Sequence, residues 1–88
     1  MSTQTTYPRV SSVEALSQKQ LRVTFETGEV KIYDCKPLLE DEALRPLQDE
    51  ALFQRVHMDG HGYGVIWNDD VDLAESELWL NGKAANTY

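Results

Sequence analysis

Three features of the 88-residue chain predict a small α+β domain with a mainly antiparallel sheet: two hairpins plus an N-terminal strand, with short helices including one at the C-terminus. The stretch LRVTFETGEVKIYD, residues 21–34, alternates apolar and polar side chains on both sides of a glycine, the period-two pattern of a half-buried hairpin. A second alternation, Tyr63, Val65 and Trp67, follows a glycine-rich turn. After it, DLAESELWLNG carries the start and stop signals of a helix. Residues 9–82 are expected to form one domain, because a second hydrophobic core would need more chain than remains after the first.

The residues before Arg9 are small and polar, and Pro8 has no amide hydrogen to give to a ladder, so 1–8 are expected as a loose end. From Arg9 to Leu16 the apolar positions Val10, Val13 and Leu16 lie three apart, a helical spacing, yet valine and serine favour an extended chain. A strand with a bulge reconciles the two. In the first hairpin Leu21, Val23 and Phe25 alternate with Arg22, Thr24 and Glu26, and beyond Thr27-Gly28 the apolar Val30 and Ile32 alternate with Lys31 and Tyr33. Gly28 supplies the positive φ of the reversal.

Pro37 ends that ladder and Pro46 prevents one long helix, so PLLEDEALRPL reads as short turns anchored by Leu38, Leu39, Leu44 and Leu47. Asp49 can cap a helix from Glu50 to about Gln54, which buries Leu52 and Phe53 against the sheet. Val56 and Met58 lead into the second hairpin. In the last segment Asp72 is the cap candidate, Glu75 stands three residues later in capping-box position, and Gly82 stops the helix. The tail KAANTY, residues 83–88, is expected to be loose.

Fifteen acidic residues against eight basic ones give a formal charge of −7, and the basic residues are scattered singly. Duplex DNA and anionic membranes attract clustered Lys and Arg, so no direct nucleic-acid binding and no membrane association are expected. A basic protein partner suits this charge. Cys35 is the single cysteine, which excludes an internal disulfide and any cysteine-based zinc site. The polar start lacks the pattern of a signal peptide, and the expected compartment is the cytoplasm.

The segment HMDGHGYGVIWNDD, residues 57–70, concentrates both histidines, three glycines and three aspartates. Its G-x-G-x-G spacing puts Val65 where a dinucleotide-binding loop needs a third glycine, and strand formers follow instead of a helix. His57 and His61 would share a face on a helix but hold no fixed relation across a glycine turn. The calcium-loop pattern fails because Leu73, not glycine, follows Asn68, Asp70 and Asp72. No metal, cofactor or catalytic residue is assigned, and a hairpin turn is the expectation; a ligand- or metal-sensing role for 57–70 is the alternative.

Two features point to an interface. Asp69, Asp70, Asp72, Glu75 and Glu77 form an acidic run without a base. Trp79 and Leu80 are adjacent, so both cannot face one narrow core stripe of a helix, and one is left for a partner or a second copy in a homodimer.

Val10 and Val13, the LRVTFETGEVKIYD hairpin, Pro37-Leu38-Leu39, Leu52-Phe53 and GYGVIWNDDVDLAESELWLNG together resemble the small bacterial domain-of-unknown-function family 2442, from about Tyr7 to Gly82. Trp67, Asp72, Leu73 and Ala74 match the family's ending, with Glu75 where a proline is usual. The resemblance implies no catalytic residues. It implies members that stand alone or are fused to a helix-turn-helix, and stand-alone members encoded beside another small protein, as in toxin and antitoxin pairs. The resulting expectation is a non-catalytic protein-binding module, antitoxin-like, paired with a small basic protein.

Overall fold

The computed structural model describes residues 7–85; the expectations for 1–6 and 86–88 lie outside the described residues. Two antiparallel sheets form the domain. The first has the order β1-β2-β3-β7, from β1 (Val10–Leu16), β2 (Gln20–Phe25), β3 (Val30–Asp34) and β7 (Lys83–Ala84). The second has the order β4-β5-β6, from β4 (His57–Met58), β5 (Gly64–Asn68) and β6 (Val71–Ala74). Two helices, α1 (Glu50–Phe53) and α2 (Glu75–Asn81), complete it. The α+β reading with two hairpins and an N-terminal strand is therefore what the chain adopts.

The odd spacing in β1 is absorbed by a register shift between Val10 and Ser12, so Val10 opposes Phe25 while Val13 opposes Val23. Three alternate residues of β2, Leu21, Val23 and Phe25, are fully or almost fully buried. The faces of β3 are the reverse of what its hydrophobicity predicts. Tyr33 opposes Leu21 and is buried, while Val30 and Ile32 oppose Thr24 and Arg22 on the outer face. Strand pairing from the Thr27-Gly28 turn sets this phase, because register through a hairpin assigns every side chain to a face at once.

Between the sheets runs a connector of short 3-10 turns at Lys36–Leu38 and Arg45–Gln48, then α1. The Asp49 carboxylate accepts from the Ala51 amide at 3.0 Å and caps α1 as expected. Phe53 is fully buried and stacks on Trp67 of β5, with ring centroids 6.1 Å apart. The Trp67 indole Nε1–H also donates to the Phe53 carbonyl at 3.0 Å, so a side chain of the second sheet holds the backbone of the connector. One continuous core results, reaching from Leu21, Val23 and Phe25 through Leu47 and Phe53 to Val65 and Trp67.

Two local expectations are corrected. Val71–Ala74 is a strand, not the start of a helix, because Val71 and Leu73 are buried in alternation with exposed Asp72 and Ala74. Asp72 therefore caps nothing: Ala74 holds the N-cap position of α2 with no side-chain cap, and the Glu75 amide donates to the Tyr63 carbonyl at 2.9 Å. Of the tail expected to be loose, Lys83 and Ala84 form a strand that pairs with Ile32 and Lys31. In the β1–β2 connection, Ser17–Lys19, Gln18 and Lys19 adopt φ of 61° and 58° without a glycine to announce it.

Replacing Trp67 by Phe keeps most of the packed area but leaves the Phe53 carbonyl without its buried donor. A loss of about 1–3 kcal/mol is expected, read as a lowered urea midpoint with the slope unchanged.

Candidate functional site

At its far end β3 carries an open edge, because β7 pairs with Lys31 and Ile32 and goes no further. Beside that edge lies a cleft of about 550 Å³, within the size range of small-ligand sites. One wall is β3 itself, through Ile32, Tyr33 and Asp34, with Gln20 of β2 beside it. Pro37 and Leu38 of the following turn add an apolar wall, and Glu77 and Asn81 of α2 face them with Lys83 of β7.

The side chains that build the cleft are those that fasten α2 to the first sheet. Tyr33 donates its hydroxyl to Glu77 Oε2 at 2.7 Å, and Asn81 Nδ2 donates to the same oxygen at 2.9 Å, one helical turn further on. Burial comes first in holding the Tyr33 phenol well above its ordinary pKa, followed by the hydrogen bond to Glu77 and that carboxylate's charge. Lys31 Nζ donates to the Trp79 carbonyl at 2.6 Å and lies 4.1 Å from the centroid of its indole. The Trp79 ring also meets Phe25 edge to face, with centroids 5.1 Å apart.

This geometry divides the residues singled out as an interface. Glu77 and Trp79 belong to the attachment of α2, and Trp79 is only partly exposed. Leu80 is the member of the adjacent pair left in solvent, 63% exposed. Asp69 and Asp70 are exposed in the β5–β6 turn, where Asn68 Oδ1 accepts from the Asp70 amide at 2.8 Å. Asp72 is on the outward side of β6, and Glu75 opens α2 half-buried. The acidic run is thus split between a turn, a strand and a helix.

In the segment 57–70, Asp59 to Gly62 form a tight turn closed by the Gly62 amide on the Asp59 carbonyl at 2.9 Å, with Asp59 Oδ1 accepting from the His61 amide at 3.1 Å. Gly62 has φ of +78° and its carbonyl accepts from the Val10 amide at 2.8 Å, across the seam between the sheets. His57 Nδ1 lies 3.1 Å from the Arg55 carbonyl, while the His61 ring leans on Tyr63, so the two histidines do not converge. Among the described residues no three His, Cys, Asp or Glu side chains are grouped to hold a metal ion. No helix among them is long and apolar enough to cross a membrane.

The chain is a small two-sheet α+β domain with a mixed polar and apolar cleft beside β3. The chain belongs to the family described as Protein of unknown function (DUF2442), whose model matches residues 10–84. No curated protein matches it. Among solved structures it is similar to the crystal structure of a "putative DNA binding protein" from Nitrosomonas europaea, with a TM-score of 0.76 and 30% identity. The likeness covers 91% of this chain and 52% of that one, so the chain spans about half the length of that protein. The expectation of no direct nucleic-acid binding, drawn from the net charge and the singly scattered basic residues, conflicts with this likeness and is corrected. Those features of one domain do not decide the matter, because an adjoining segment is enough to bring a domain to DNA.

Cys35 lies next to the cleft but is fully buried, and desolvation with the nearby Asp34 charge pushes its thiol from 9.0 up to about 12. Below about pH 9 the thiol is protonated in both states and its burial contributes fully. Above that the unfolded chain releases the proton first, so stability falls with rising pH toward 12. The thiol is expected to resist Ellman's reagent at about pH 8 until urea is added. Cys35→Ala is expected to flatten the fall in urea midpoint between about pH 8 and 10, ahead of the Tyr33 titration.

Proposed function

We propose that the domain is a non-catalytic protein-binding module that works in a DNA-associated assembly. The observation that carries this reading is the 30% identity, over 91% of the chain, to about half of a protein described as a "putative DNA binding protein". The sheet edge and cleft beside Tyr33 support a binding role, since an open edge offers main-chain donors and acceptors to an extended partner. The antitoxin-like pairing implied by the family resemblance is one form of this role, and the cytoplasm is its compartment.

The test is capture of the tagged chain from its own host's lysate, with and without nuclease, followed by anisotropy of the purified chain with labelled duplex DNA. A stoichiometric protein partner that survives nuclease, and that carries DNA when nuclease is omitted, is the expected result. Duplex binding by the chain alone, lost between roughly 50 and 200 mM salt, would replace the protein-binding role with direct DNA contact. Recovery of neither partner nor DNA contradicts the reading.

A further inference from the structure

The Glu77 carboxylate is half-buried in the wall of the cleft, and both of its hydrogen bonds from Tyr33 and Asn81 fall on Oε2. Oε1 accepts from no protein group among the described residues, and no Lys or Arg pairs with Glu77 there. Asp34, the other acid of the cleft, is already committed to Lys36 at 3.4 Å and to the Lys36 amide at 3.0 Å. A fixed, partly desolvated carboxylate without a counter-charge is matched by a cation brought from outside. Its surroundings set the shape of that cation: Ile32, Pro37 and Leu38 suit an apolar stem, as the aliphatic part of a Lys or Arg side chain provides. The amides of Gln20 and Asn81 and the ammonium of Lys83 are donors suited to main-chain carbonyls.

We propose that the cleft beside β3 receives an extended peptide segment of a partner protein, with one basic side chain of that segment paired to Glu77. The segment meets the β3 edge that β7 leaves open at Asp34, and Arg suits the Glu77 subsite better than Lys because its planar fork can use both a charge and a directed hydrogen bond. This assignment rests on the protein-binding reading of the domain.

The experiment is an amide-shift titration of the full chain with the peptide acetyl-Val-Arg-Val-amide, set against its citrulline analogue, which has the same shape and no charge. Saturable shifts centred on Tyr33, Asp34, Glu77, Asn81 and Lys83 are expected, with the citrulline peptide at least about tenfold weaker. Glu77→Gln keeps an acceptor for the Tyr33 hydroxyl and is expected to lose the preference for arginine while remaining folded. No saturation at millimolar peptide, equal binding of the two peptides, or shifts spread over the Asp69–Asp72 turn would each overturn the proposal. A protein partner that binds Glu77→Gln as well as the wild type would remove this site and leave the protein-binding reading intact. Arginine-selective shifts in a chain that captures no partner would do the reverse.

Discussion

Among the described residues one backbone hydrogen bond, from the Val10 amide of β1 to the Gly62 carbonyl of the β4–β5 turn at 2.8 Å, crosses between the two sheets, and the rest of the molecule is arranged around the close approach it demands. Residue 62 must take φ of +78°, and a Cβ there would sit 2.8 Å from the Val10 carbonyl oxygen and 3.0 Å from the Arg9 Cβ. Glycine meets both conditions without strain. The next residue, Tyr63, then offers its carbonyl to the Glu75 amide, which fixes where α2 begins. From that start the helix brings Glu77 to Tyr33 and Trp79 to Phe25 and Lys31, closing one side of the cleft. The glycine-rich segment, expected from the sequence as a hairpin turn, is thus the joint through which the second sheet positions a helix against the first.

The hairpins and the Asp49 cap, written in local chemistry, were legible in the sequence. Leu21, Val23 and Phe25 alternate as a half-buried strand must, Asp49 caps α1, and the spacing of Val10 and Val13 contains its own bulge. What escaped depended on partners distant in sequence. Val71–Ala74 carries helix-start signals in Asp72 and Glu75, yet pairing with β5 outweighs them, because two buried side chains and a ladder outweigh one cap. Gly64 gave a hint of this: a Cβ there would collide with the Leu73 carbonyl, so the two strands approach closely only because it is glycine. The left-handed pair Gln18 and Lys19 left no mark at all, since neither residue favours positive φ.

The cleft was hidden for a related reason. Tyr33, Glu77 and Asn81 each look ordinary in the sequence, and the first two are 44 residues apart. An acidic run drew attention to Glu77 for its charge toward a partner, whereas its first role is to accept the Tyr33 hydroxyl. The same carboxylate can serve both purposes, because one oxygen holds the helix and the other is left over. Function in such a domain follows from what the α2 attachment leaves unpaired, and charge totals over the whole chain say little about it.

The close fit at Gly62 is what makes this turn a structural joint, and the most direct measurement of that role is urea unfolding of Gly62→Ala beside Gly60→Ala. A methyl group added at Gly60 would meet nothing within 4 Å, so that variant should lie within about 0.5 kcal/mol of the wild type. At residue 62 the positive φ and the collision with Val10 add, and a loss of roughly 2–4 kcal/mol is expected, together with displaced Tyr33 and Glu77 amide resonances. Equal stability of the two variants, with the cleft resonances unmoved, would contradict the claim that this turn holds the sheets and the helix together.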